Sequence, residues 1–363
     1  MRRRRAGATL AGMTVPPPSL TPARQIAIRE DWLALRREAP LDPALPIVDP
    51  HHHLWDREEE RYLLAELLRD IAESGHDVRA TVFIQCGAMY RADGPEEERS
   101  LGETEFVNGI AAASASGSYG PVRAAAGIVG HVDLTLGDRA TPLLEAHRAA
   151  AGARFRGVRN RTAWHPDPAV RSNLVTPPPG PLEHPHFVDG ARRLASQGLV
   201  LDVWAYQTQL PHVAALARAV PELTVIVDHC GGPLGVGPFA GRRDEGFAAW
   251  RREVLALAAL PNVVMKLGGL AMEVGGYDFH RRDAPPSSEE LATAWRPVVE
   301  TLIEAFGPAR CMFESNFPVD KGMVGYGVLW NAFKRLSAGA GDAERAALFA
   351  GTARRVYRLR GAE

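Results

Sequence analysis

Short apolar runs, many of them β-branched, recur along the chain at 47–49, 80–84, 123–128, 157–159, 199–203, 223–227, 263–265 and 311–313. Between them lie stretches with helical spacing, such as 190–197 and 295–306. Runs this short without polar alternation belong to strands covered on both faces, and their alternation with helices marks a parallel sheet with crossover connections. Eight such units predict an α/β fold of the (β/α)8 TIM-barrel type over residues 45–363. Gly and Arg dilute the third and fourth runs, and a doubly wound open sheet is the competing architecture. The longest irregular stretches, 87–102, 160–185, 231–246 and 268–288, all follow predicted strands. In a barrel they share the C-terminal face, where βα loops build active sites.

The two ends of the chain read differently. Residues 1–20 are basic and then proline-rich without an apolar pattern, which predicts a disordered lead-in. Between Arg5 and Pro16 no seven-residue apolar core exists, so the segment is not read as a signal peptide, and Met13 offers an alternative start. Residues 21–44 are expected to form an N-terminal helical extension. No run approaches 18 apolar residues, which excludes a membrane-spanning helix.

Composition narrows the function without choosing it. Hydrophobic residues make up 46% and charged residues 23% of the 363 residues, and the formal charge of -1 leaves no broad basic face for nucleic acid. Cys86, Cys230 and Cys311 sit in or at the ends of apolar runs, an odd and sparse set that suits buried thiols in a reducing cytoplasm. A small-molecule substrate is the expected partner. Nothing in the pattern specifies oligomeric state.

Candidate chemistry gathers at predicted strand ends. In IVDPHHHLWD (47–56), strand alternation puts His51 and His53 on one side and His52 on the other. Two imidazoles at i and i+2 can converge on one metal ion, although such a pair can also be hinge or surface histidines. His229 ends the sixth strand and is followed by glycines that let a substrate approach the backbone. Arg156 and Arg159 flank the fourth strand, where a guanidinium can grip a carboxylate or polarised carbonyl. Lys266 closes an apolar run that would not ordinarily end in an inward ammonium. Tyr90, His165, His184 and His186 lie on long loops of the same face and are candidate substrate contacts. Singly, each of these also reads as a solvated loop end; together at one face they point to a site.

The stretches D-x-H-x-H-x-W at 49–55, F-R-G-V-R at 155–159, V-D-H-C-G at 227–231 and R-C-M-F-E-S-N-F-P-V at 310–319 together resemble the amidohydrolase-related (amidohydrolase 2) family of the amidohydrolase superfamily. The resemblance covers residues 45 to 358 and is nearest to the branch of sugar and pyrone lactonases. It implies a (β/α)8-barrel hydrolase with His51, His53 and His229 at the family's site positions. That branch includes metal-dependent and metal-independent lactonases, and more distant relatives are decarboxylases. One departure matters. The family's strand-8 G-S-D-W-P is here Glu314-Ser315-Asn316-Phe317-Pro318, and an amide cannot take the proton that the family's aspartate takes from water. Glu314 shares the strand parity of Asn316, roughly 6.6 Å along the same face, so the carboxylate is expected to have moved down the strand. The other reading pairs Glu314 with Lys266 or Arg159 as a buried ion pair.

The function expected is hydrolysis of a lactone or similar cyclic ester bearing a carboxylate, by attack of activated water. Glu314 or His229 would accept the proton, with Asn316 beside them. Arg156, Arg159, Lys266, Tyr90 and His165 would contact the substrate. Either one divalent metal, zinc first, is held by His51, His53 and His229, or catalysis is metal-free. The alternatives are a metal-dependent decarboxylase and a binding protein whose chemistry lapsed with the change to Asn316. Ring size and substituents of the substrate are set by loops and are not legible.

Overall fold

The computed structural model describes residues 25–359 apart from Glu59 and Leu174. The expected disordered lead-in at 1–20 lies outside those residues. Eight strands form one parallel sheet in chain order: β1 Ile47–His52, β2 Val78–Ile84, β3 Arg123–Gly130, β4 Phe155–Arg161, β5 Val200–Trp204, β6 Val225–Val227, β7 Val263–Leu267 and β8 Cys311–Phe313. All eight predicted runs are strands, and helices separate them, as in a (β/α)8 barrel. Beyond β8 the chain meets β1 again. The His53 N–H donates to the Phe317 carbonyl at 2.7 Å and the Asn316 N–H to the His51 carbonyl at 2.9 Å, with a parallel bridge between His52 and Phe317.

The interior of the barrel is apolar in its lower half, where Val48, Val82, Val129, Ile226, Val264 and Met312 pack together. Ala353, Val356 and Tyr357 of the C-terminal segment join that cluster. Large apolar side chains buried this way contribute about 1.5–3 kcal/mol each. The upper half carries the polar groups described below. Helix Ser288–Phe306 shows how the outer layer forms. The Ser287 hydroxyl and Glu290 carboxylate cap its first turn reciprocally, and Leu291, Trp295, Val298, Val299 and Leu302 form one buried stripe at helical spacing. The capping pair places the start of this helix well before the apolar spacing at 295–306 becomes visible.

Between residues 25 and 44 helix is confined to Glu30–Leu33. Prolines at 40 and 43 break up the rest of the expected helical extension. The segment is held instead by single contacts, among them Trp32 Nε1 donating to the Arg282 carbonyl at 2.9 Å and the Leu41 N–H donating to Asn331 Oδ1 at 2.7 Å.

Candidate active site

β1 delivers the histidines. Its pairing with β2 is irregular between Asp49 and His52, so that Val48 lies in the barrel interior and His51, three residues on, faces the site as well. Within the triplet the alternation holds. His51 and His53 meet edge to face at 4.9 Å, while His52 turns outward against Thr81 Oγ1 at 2.8 Å and the ring of Phe83. Asp49 anchors the turn by accepting from the Ser315 hydroxyl at 2.6 Å, the Ser315 N–H at 3.0 Å and the Tyr326 hydroxyl at 3.0 Å.

His229 follows β6 with φ 55, and Cys230 after it has φ 56. A left-handed conformation costs a residue with a Cβ about 1–2 kcal/mol, and it persists where surrounding contacts over-determine it. Those contacts are visible. Glu314 Oε1 accepts from the His229 backbone N–H at 2.9 Å and lies 2.7 Å from Nδ1. Gly269, with φ +64, leaves room for the ring: a Cβ there would lie 2.5 Å from His229 Cγ and Nδ1. Gly268 does the same for Glu314, since its Cβ would lie 2.5 Å from Glu314 Cγ. The two glycines after β7 therefore make space for this pair.

Glu314 is fully buried and sits behind the two histidines, with Oε2 2.7 Å from His51 Nδ1. Burial works against its charge, but His229 and His51 outweigh it and hold the carboxyl well below the usual carboxylate range. An ionised Glu314 has no proton to give, so His229 Nδ1 is the donor in their bond. In a neutral ring this bond leaves the lone pair on His229 Nε2. Burial and then the Lys266 ammonium push the His51 imidazole well below its ordinary value, so that ring is neutral. His53 donates from Nδ1 to the Ile84 carbonyl at 2.8 Å and is kept neutral by burial and by Arg159.

Beneath the histidines lies an ion cluster. Lys266 Nζ is 2.6 Å from Asp202 Oδ1, 3.0 Å from Asp228 Oδ1 and 3.2 Å from His51 Nδ1. Burial favours the neutral amine, but Asp202 and Asp228 more than offset it and hold the Lys266 pKa above its ordinary value. Burial raises the Asp202 carboxyl to about 6 in spite of Lys266, and the Tyr357 hydroxyl donates to it at 2.7 Å. For Asp228, burial is outweighed by Lys266, His229 and Arg159, and its carboxyl is held low. Lys266 therefore pairs with Asp202 and Asp228, and Glu314 pairs with the histidines; the expected Lys266–Glu314 or Arg159–Glu314 ion pair is not formed.

Above the cluster a pocket opens, lined among others by His53, Arg57, Arg159, Arg161, His229 and Asn316. Trp55 stacks on His53, and Arg57 lies 3.8 Å over the Trp55 ring. Arg159 reaches His51 Nε2 at 3.3 Å and Asp228 at 3.7 Å. The three guanidiniums give the pocket a positive wall.

The structure thus brings His51, His53, His229, Arg159, Lys266, Glu314 and Asn316 together. It does not bring Arg156, Tyr90 or His165. Arg156 stays at the N-terminal end of β4 beside Gly127, because the active face needs the residues at the other end of the strand. The Tyr90 hydroxyl bonds to the Gln85 side chain at 2.9 Å, and its ring lines a separate cleft with His131. His165 accepts the Asp167 N–H at 3.0 Å, packs against Phe239 and faces another cleft. His184 and His186 are exposed and contact one another. Asp202, Asp228, Arg57 and Arg161 were not singled out from sequence. Two signals existed: Arg161 has the parity of Arg159, and Asp202 is a lone carboxylate inside an apolar strand.

His51, His229 and Glu314 place one potential ligand atom each within 4.8 Å of one another. His53 is not part of that group, which has a carboxylate in its place. Among the described residues the buried Glu314 Oε2 meets no polar group closer than His51 Nδ1, at 2.7 Å. Two imidazoles and a carboxylate, all buried, fit a single divalent ion such as zinc.

The family described as amidohydrolase matches residues 48–359. The protein y4mH of Sinorhizobium fredii is 32% identical over 328 residues, covering 87% of this chain and 99% of its own length. An L-fucono-1,5-lactonase of Burkholderia multivorans is 33% identical over 240 residues, 64% of this chain and 72% of that protein. Among solved structures, an amidohydrolase of Burkholderia multivorans with bound zinc superposes with a TM-score of 0.65 at 26% identity, covering 86% of this chain and 99% of the other.

Proposed function

The chain belongs to the amidohydrolase family, and from that premise we propose that this hydrolase opens a lactone or similar cyclic ester bearing a carboxylate. The observation that carries the reading is the Glu314–His229 pair beneath a pocket walled by arginines. With Nδ1–H held by Glu314, His229 Nε2 is the group that accepts a proton from water. The buried carboxylate behind it stabilises the imidazolium that forms. Glu314 lies too deep to meet water itself, so its part is to orient His229. Arg159 and Arg161 offer donors to the carbonyl oxygen as charge develops on it and to the carboxylate of the substrate.

In the metal-dependent alternative to His229 as base, His51, His229 and Glu314 would instead hold a divalent ion, which when bound would polarise the carbonyl and lower the pKa of water. The lactonase named among the relatives supports a cyclic ester as the substrate class. The test is a pH-indicator assay over sugar lactones and pyrone carboxylates. Turnover by the protein, reduced roughly 10²- to 10⁴-fold in His229→Gln, is expected; a His229→Gln variant as active as its parent contradicts the assignment.

A further inference from the structure

Asn316 follows β8 with φ 54 and is 1% exposed, yet it lines the same pocket as His229. Its Nδ2 donates to Asp320 Oδ1 at 2.8 Å. Asp320 is itself fully buried, and its other oxygen accepts the Ala271 N–H at 3.2 Å. Asn316 Oδ1, by contrast, has no hydrogen-bond partner among the described residues although it is buried.

The two ends of a side-chain amide have nearly the same shape and opposite hydrogen-bonding character. Sterics alone do not choose which end faces the pocket. Asp320 does: burial raises its carboxyl to about 7, and above that pH the ionised carboxylate, already accepting the Ala271 N–H, only accepts and therefore selects the NH2 end. A buried acceptor left without a donor is costly, so the oxygen end is a place for an incoming O–H group.

We propose that Asp320 is a positioning residue that aims the Asn316 carbonyl oxygen into the pocket, where it accepts a hydrogen bond from an O–H group at the reacting centre. That group is either the attacking water or a substrate hydroxyl beside the ring carbonyl. Its identity rests on the hydrolase reading above; the orientation of the amide does not. An amide here cannot remove a proton, so Asn316 aligns the donor and His229 takes the proton.

The chain has six asparagines, so selective ¹⁵N-asparagine labelling gives few side-chain amide signals, and Asn316→Ala identifies the one of interest. The Asn316 NH2 is expected to exchange slowly with solvent, and in Asp320→Asn that protection should fall at least roughly 10-fold with the fold retained, as loss of the charge-assisted bond requires. In turnover, Asp320→Asn should lose roughly 10- to 100-fold in kcat/KM, the range of one hydrogen bond to a charged group. The exchanged pair, Asn316→Asp with Asp320→Asn, again presents an acceptor to the pocket and should recover most of the loss.

A fall in kcat with KM unchanged identifies the donor as water. A rise in KM that vanishes with a substrate lacking the neighbouring hydroxyl identifies the substrate. The proposal is overturned if Asp320→Asn leaves amide exchange and kinetics unchanged, or if the exchanged pair stays as impaired as the single variant while both fold. If the parent protein opens no lactone, the functional reading fails, and the exchange measurement alone still decides the orientation of the amide.

Discussion

Replacing Glu314 by Gln removes a charge from the centre of the site while keeping its shape. Glu314 Oε1 accepts two bonds, from the His229 N–H at 2.9 Å and from His229 Nδ1 at 2.7 Å. Bonds to a charged acceptor contribute about 1.5–3 kcal/mol against about 0.5–1.5 for neutral ones, so losing the charge on two of them costs about 2 kcal/mol. For a chain of 363 residues that is a Tm drop of roughly 2–3 °C. The catalytic effect is larger. Proton uptake by His229 creates an imidazolium that the amide no longer balances, and kcat should fall roughly 10²- to 10⁴-fold. Thermal melts and pH-indicator turnover on the same preparation read both quantities. A folded Glu314→Gln with kcat close to the parent's would refute the pairing as the source of reactivity. Full activity in His229→Gln alongside an inactive Glu314→Gln would move the base from the histidine to the carboxylate.

Three further outcomes follow from the same geometry. Gly269→Ala forces a Cβ to 2.5 Å from the His229 ring at φ +64, which costs about 2–5 kcal/mol in strain and overpacking and displaces the ring; unchanged urea melts and turnover would contradict the placement of His229. Chelation should leave Tm within roughly 2 °C, because Lys266 and Arg159 together balance Asp202 and Asp228 and hydrogen bonds hold the histidines without an ion; a collapse of the fold in chelator would show a structural metal instead. Burial lowers the His52 pKa from 6.5 to about 4, so its neutral form stabilises the fold fully above pH 6.5, and that contribution is lost as pH falls towards 4. Asp49 and Asp202, raised to about 6, act in the opposite sense in part of this window, so only a comparison isolates His52. The stability of the parent relative to His52→Gln should drop by about 2–3 kcal/mol between pH 7 and pH 4.5; a gap that stays constant would show that His52 titrates normally.

The barrel was legible because its strands are short runs buried on both faces, and such runs show directly in sequence. The orientation of His51, His52 and His53 was legible for the same reason, since alternation is local. The irregularity upstream at Asp49–His52 was not, because it depends on how β1 pairs with β2. Pairing partners were the least visible layer. Lys266 reads as an inward cation, but its choice of Asp202 and Asp228 over Glu314 does not follow strand order, since Glu314 succeeds the adjacent β8 while Asp202 lies on β5, two strands away across the barrel interior. Arg156 and Arg159 look equivalent in F-R-G-V-R, and only the position along β4 separates the one at the pocket from the one at the base. Asp320 carries no motif, and it matters because the segment after β8 turns back on itself, bringing its carboxylate to Asn316.

The most direct test of the central claim follows the oxygen of water into product. A lactone opened by the protein in H₂¹⁸O and analysed by mass spectrometry should yield the hydroxy acid with one ¹⁸O in its new carboxylate, at a rate that depends on His229. Release of carbon dioxide from a carboxylated substrate, or binding of lactones without any ring opening, would contradict it and assign this site to decarboxylation or to ligand binding.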